Sequence, residues 1–163
     1  MLRKNPKSKK LSAAGTFAIV ASRYNSQFVD AMLRAAKAEL LRAGAKVQIV
    51  RVPGAYEIPV VAVKLARQSC PRLSAIICLG VILRGQTVHA AHIGDAVSRA
   101  LMDIQLATEV PVIHEVLLLE NAEQARVRCL DRKHNRGTEA AQTALEMARV
   151  MANLAANDND IPF

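Results

Sequence analysis

Apolar and polar positions switch along this chain between a short, strand-like pattern and a helical period. Thr16 to Ser22 (TFAIVAS) is short, apolar and β-branched, which predicts a strand. From Ser26 to Ala43 the residues Phe28, Met32, Ala36, Leu40 and Ala43 fall on one helical face, and Gly44 stops the helix. Lys46 to Val52 (KVQIVRV) predicts a second strand. After the turn PGAYE a helix follows from about Ile58 to Gln68, with Pro59 in its first turn, where a missing N–H is tolerated. Ala75 to Leu83 is almost continuously apolar, the signature of a central strand covered on both faces.

Beyond RGQT, the positions Ile93, Val97, Ala100, Leu101 and Ile104 mark a long helix, and Val110 to Leu118 (VPVIHEVLL) is a fourth strand. Two helices close the pattern, about Asn121 to Leu130 and Thr138 to about Asn153; Ala141, Ala144, Leu145, Ala148 and Ala152 give the second one its apolar stripe. The repeated strand–helix order predicts a parallel sheet with helices on both faces. Ligands of such sheets bind beyond the carboxyl ends of the strands; SRYN, PGAYE and RGQTVH follow strand ends, and the stretch His114 to Asn121, which begins within the fourth strand, is a further candidate.

Composition narrows the class without changing the architecture. With 163 residues, 52% of them hydrophobic, the chain suits one globular domain. No apolar stretch approaches the roughly 18 residues that span a bilayer and no signal-type core follows the N-terminus, so a cytoplasmic protein is expected. Cys70, Cys78 and Cys129 are odd in number and scattered, which fits reduced thiols rather than disulfides or a zinc site. The net charge of +8 is concentrated in MLRKNPKSKK, where five cations occur with no acid. Residues 1–15 read as a flexible basic arm, 16–154 as the domain and 155–163, ending NDNDIPF, as a loose tail. The arm can touch polyanions without specificity, but 3% aromatics and no Trp leave little to stack on bases.

RGQTVH carries the most chemistry. Gly85 lets backbone approach a ligand, and the amides of Gln86 and Thr87 before a helix make a phosphate cradle; the plain structural reading is a Thr87 cap and an easy turn. His89, beside that cradle, can take and give a proton near neutrality. His92 stands three residues on, without the third ligand a metal would need. Glu57 can accept from ligand hydroxyls or simply complement a helix dipole, and Tyr24 with Asn25 can stack on and read a heterocycle or pack and cap. Arg128 can clamp phosphate, although nothing local singles it out from its basic neighbours. The residues by themselves thus lead to a strand-end site for an anionic small molecule.

Taken in order, SRYN, VPGAYEIP, LGVILRGQTVH, ENAEQAR and RGTEAAQTALEMA resemble the lumazine synthase family over roughly residues 16 to 154. The resemblance implies a flavodoxin-like, three-layer α/β/α domain with a four-stranded parallel sheet. It implies homo-oligomers built on pentamers, with active sites between subunits and no metal or organic cofactor. The implied reaction condenses 5-amino-6-(D-ribitylamino)uracil with 3,4-dihydroxy-2-butanone 4-phosphate, releasing phosphate and water. By motif position, Tyr24 stacks on the pyrimidine, Ala55, Tyr56 and Glu57 with Asn25 hold the ring and ribityl chain, and Val81, Ile82 and Leu83 line the slot through backbone. Gly85, Gln86 and Thr87 with Arg128 take phosphate, His89 moves protons, and the neighbouring subunit supplies His114, Arg128 and Arg136.

The chain departs from the family where aromatic residues usually stand: it reads Ala90, Ala91 and His92 after the histidine, and His114 in the fourth strand. It also has HNRG in place of GNKG, so Arg136 keeps a charge but not lysine's geometry. Two alternatives share the scaffold: an archaeal-type riboflavin synthase that dismutates two lumazines, and a non-catalytic ligand-binding or shell-forming protein.

Overall fold

The computed structural model describes residues 15–158; residues 1–14 of the expected basic arm and the last five residues lie outside the described residues. Four strands, β1 (Thr16–Ser22), β2 (Lys46–Val52), β3 (Ala75–Leu83) and β4 (Val112–Leu119), form one all-parallel sheet in the order β2-β1-β3-β4. This is the order of flavodoxin-like sheets, with a topological switch point between β1 and β3. Three of the four strands coincide with the spans expected from the sequence. β4 starts later than its apolar run because Pro111, lacking an N–H, precedes the ladder and only accepts, from the Ile76 amide at 2.8 Å.

Five helices cover the two faces. Helices α1 (Ser26–Arg42), α4 (Ala122–Cys129) and α5 (Arg136–Asp158) close one face, and α2 (Ile58–Ala66) and α3 (His89–Thr108) the other. The alternation of β3 explains both layers: Ile77, Leu79 and Val81 point into the first and Ile76, Cys78 and Ile82 into the second. Cys78 is fully buried, and burial pushes its thiol far above the usual range, so it packs as an apolar residue.

Helix α5 begins two residues before the predicted start and runs to Asp158, so the tail expected from 155 is helical over its first part. Asn135 sets the start: its Oδ1 accepts from the Gly137 amide at 2.8 Å and its Nδ2 donates to the Cys129 carbonyl at 2.5 Å, joining α4 to α5. Gly137 lies so close to α1 that a Cβ there would collide with the Met32 backbone carbonyl. Among the described residues no helix is long and apolar enough to cross a membrane.

Candidate functional site

The sheet register makes a crevice at the switch point. Pairing of β1 with β3 ends at Ala21 opposite Leu79, whereas β3 stays paired with β4 as far as Leu83 opposite Leu119. The last residues of β3 therefore have no β1 partner beside them. The chain leaving β1 turns away over β2: the Arg23 amide donates to the Val52 carbonyl at 2.8 Å and the Tyr24 amide to the Pro53 carbonyl at 3.1 Å. Arg51 braces this turn from β2, donating to the carbonyls of Ala21 and Ser22 and pairing with Asp30 of α1 at 2.7 Å.

Asn25 occupies the N-cap position of α1 without capping it. Its backbone is left-handed, with φ 55°, a conformation asparagine tolerates, and its side chain instead crosses the crevice to donate from Nδ2 to the Val81 carbonyl at 2.7 Å. The amide expected to read a ligand or cap a helix thus ties the β1–α1 turn to the end of β3. Tyr24 beside it is 75% exposed.

PGAYE forms a 3-10 turn over Ala55–Glu57 that leads into α2. Oε2 of Glu57 accepts from the Gly54 amide at 2.9 Å, which leaves Oε1 without a hydrogen bond among the described residues. Ala55 and Ile58 press against β3 at Gly80, where a Cβ would sit 3.3 Å from Ile58 Cδ1 and 3.2 Å from Val116 Cγ1. Glycine there lets the turn settle against the strand. Tyr56 is 64% exposed.

The third loop follows β3 directly. The Arg84 amide donates to the Leu119 carbonyl at 2.8 Å and its guanidinium pairs with Glu120 at 2.7 Å, fixing the exit from the strand. Gly85, Gln86 and Thr87 are exposed, and a Cβ on Gly85 would meet nothing within 4 Å. Helix α3 starts at His89, with Val88 as N-cap, so Gln86 and Thr87 belong to the approach rather than to the helix; Thr87 Oγ1 lies 3.4 Å from the His89 amide. His89 is exposed, while Ala90 behind it packs in the same apolar layer as Ala55 and Ile82. Tyr24, Asn25, Ala55–Glu57, Val81–Leu83, Gly85–Thr87 and His89 therefore gather at one end of the sheet.

His114, Arg128 and Arg136 do not join them. They line a groove of about 670 Å³ along the free edge of β4. His114 pairs in register with Cys78, five residues before the end of the strand. At about 3.3 Å per residue that is roughly 16 Å from the carboxyl end. Its Nε2 is 2.8 Å from Ser98 Oγ, whose own hydrogen goes to the Gly94 carbonyl at 2.8 Å; the imidazole is therefore the donor through Nε2–H, which leaves Nδ1 as acceptor in the neutral ring.

Glu115, a residue the sequence reading passed over, organises this groove. It is 5% exposed, and both oxygens bind Arg136, Oε1 with Nη2 at 2.6 Å and Oε2 with Nε at 3.1 Å. Nη1 of Arg136 reaches Glu139 at 2.5 Å. Burial raises the Glu115 carboxyl above its ordinary value, against the opposing pull of the Arg136 hydrogen bonds and charge. Arg128, exposed on α4, makes no side-chain hydrogen bond or ion pair among the described residues. A lone charge inside the apolar run VPVIHEVLL was the available signal for Glu115. Among the described residues no three His, Cys, Asp or Glu side chains converge as a metal set.

Comparison with known proteins bears on both regions. Residues 14–152 match the family model of 6,7-dimethyl-8-ribityllumazine synthase. A protein of that name from Stenotrophomonas maltophilia (strain R551-3) is 40% identical over 141 residues, which cover 85% of this chain and 90% of its own. One from Xanthomonas oryzae pv. oryzae (strain PXO99A) is 40% identical over 138 residues, 83% of this chain and 88% of the relative. Another, from Xanthomonas euvesicatoria pv. vesicatoria (strain 85-10), is 39% identical over the same shares. With a family model spanning most of its length and relatives this similar over nearly their whole chains, the chain belongs to the 6,7-dimethyl-8-ribityllumazine synthase family.

Proposed function

We propose that the strand-end crevice and the β4 groove are two halves of one site, completed when the groove of one copy of the chain meets the crevice of the next. Family membership makes the chain a transferase of riboflavin biosynthesis that forms 6,7-dimethyl-8-ribityllumazine. The observation that carries the shared-site reading is the separation itself. His114 and the Arg136–Glu115 pair lie well back along an edge strand, while the remaining site residues stand together at the strand ends. A pentamer or a larger assembly of pentamers brings edge and end together without any change in the fold.

In this reading the substrates are 5-amino-6-(D-ribitylamino)uracil and 3,4-dihydroxy-2-butanone 4-phosphate. Tyr24 stacks on the pyrimidine, and the open end of β3, with the peptide groups of Val81 to Leu83, reads its edge. Ala55, Tyr56 and Glu57 hold the ring and ribityl chain, with Glu57 Oε1 as the acceptor left over from the turn. Gly85, Gln86 and Thr87 receive the phosphate on loop amides that precede the positive end of α3, and Arg128 of the neighbouring copy adds charge-assisted hydrogen bonds.

The ring amine attacks the ketone, water leaves to give an imine, phosphate is eliminated, and the second amine closes the ring with loss of another water. Each step moves a proton between nearly neutral groups. The exposed imidazole of His89, adjacent to the phosphate loop, suits that task. Holding both reactants in register supplies a further share, on the order of 7–11 kcal/mol in favourable cases.

The test is direct. The purified protein given both substrates forms the lumazine chromophore and inorganic phosphate, and given lumazine alone forms no riboflavin. Production of riboflavin from lumazine would instead indicate the dismutating enzyme. Sizing by light scattering tests the shared site: a monomer with full activity rules it out.

A further inference from the structure

The β4 groove contains two arginines that the sequence presents as equivalent cations, yet their surroundings differ. Arg128 is exposed and has no carboxylate on it among the described residues. Arg136 is held by both oxygens of Glu115 and by Glu139, so the cluster contains two carboxylates and one guanidinium and carries a net single negative charge when ionised. A phosphate dianion approaching the groove is attracted by Arg128 and repelled by the cluster beside it. A neutral hydroxyl meets no such repulsion. Three of the five guanidinium N–H groups are engaged, which leaves two donors, and the Glu115 oxygens retain acceptor capacity.

The geometry points to Glu115 as a specificity-determining residue: by binding Arg136 side-on, it withdraws that guanidinium from anions, confines phosphate to Arg128, and converts the deeper groove into a site for a neutral polyol chain. This rests on the reading that the groove is half of the lumazine-forming site. It also accounts for a buried carboxylate on an edge strand whose other inward positions are apolar, since Arg136 alone would offer phosphate a second, competing seat. The fork of an arginine matters here, because a lysine in its place could not accept the carboxylate side-on and still present donors outward.

Glu115→Gln keeps the shape and removes the charge. Binding of inorganic phosphate to the intact protein, followed by titration calorimetry, should tighten about ten-fold in this variant, the scale of one added charge-assisted interaction. The KM for the ribitylaminouracil should rise several-fold while the KM for the butanone phosphate does not. Adding Arg136→Met to Glu115→Gln should cancel the gain in phosphate affinity, which a merely structural role for Glu115 would not predict. Phosphate affinity and pyrimidine KM both within two-fold of the parent would overturn the proposal. Should Glu115→Gln fail to fold, Glu139→Gln, at an exposed carboxylate, takes its place: a smaller gain in phosphate affinity supports the proposal and none overturns it. The calorimetry reads phosphate alone, so it decides the matter even if the parent makes no lumazine, an outcome that would count against the proposed function instead.

Discussion

The crevice at the strand ends and the groove along β4 share one sheet but are held by different forces. Hydrogen bonds onto backbone carbonyls shape the crevice, from the Arg23 and Tyr24 amides onto Val52 and Pro53, from the Asn25 side chain onto Val81 and from Arg51 onto Ala21 and Ser22, with the Arg51–Asp30 and Arg84–Glu120 ion pairs at its solvent-facing margins. Its side chains Tyr24, Tyr56 and His89 are exposed. The groove depends on a buried carboxylate, a guanidinium fork and the exact seating of α5 against α1. The crevice is therefore specified mainly through backbone groups at the strand ends, whereas the groove depends on side chains that meet only once α4 and α5 have packed against β4. Perturbing α5 should damage the groove first, and replacing the exposed side chains of the crevice loops should alter chemistry without altering stability.

The sharpest break comes at Gly137. An added methyl meets the backbone carbonyl of Met32, which no side-chain rotation can move aside, so relief requires shifting the start of α5 and Arg136 with it. Gly137→Ala should cost about 3 kcal/mol, the upper end for an overpacked site, and lower the urea midpoint accordingly. Any active fraction that remains should show weakened groove-side binding. Unchanged stability would mean that α5 is not seated as tightly as the α1 contact requires.

His89→Ala tests the opposite half. Because the ring is exposed, the unfolding midpoint should stay the same. Lumazine formation should slow by about 10²-fold in kcat, the low end for losing a general acid–base group. A variant as fast as the parent would remove His89 from the mechanism.

The same contrast explains what could be read from the sequence. Strands β1, β2 and β3 were legible to the residue because β1 and β3 are apolar runs and β2 interleaves Val and Ile with polar residues, each bounded by turn residues, and the crevice motifs sit directly after them. Asn25 was legible in place but not in role: a helix cap and a bond across to Val81 look alike from RYNS, and only the left-handed backbone decides between them. Glu115 and Asn135 were missed because their partners, Arg136 at 21 residues' separation and the Cys129 carbonyl, are set by how α4 and α5 fold back on β4. No local period encodes that return.

Asn25 offers a smaller and separable test. Asn25→Ala loses the 2.7 Å bond to Val81 and places alanine in a left-handed conformation, each worth about 1 kcal/mol. Asn25→Gly loses the bond but relieves the backbone. Alanine should therefore be the less stable of the two, with both raising the KM for the pyrimidine substrate to a similar extent. Equal stabilities would show that the left-handed turn is not retained.

The smallest effect is one of pH, and its sign separates burial from ion pairing in the groove. Burial raises the Glu115 carboxyl above its ordinary 4.5, and the Arg136 fork and charge only partly oppose it. Below 4.5 the group is protonated in both folded and unfolded chains, and its contribution is fully present. As pH rises, the unfolded chain ionises first and binds fewer protons than the fold, so stability falls until the folded carboxyl has ionised as well, then levels off. Glu115→Gln removes this term. Urea unfolding of parent and variant from below 4.5 to neutrality should show the parent losing stability relative to the variant as pH rises. The reverse slope would mean that the Arg136 fork outweighs desolvation, which would make Glu115 a net stabiliser of the groove as well as its filter for anions.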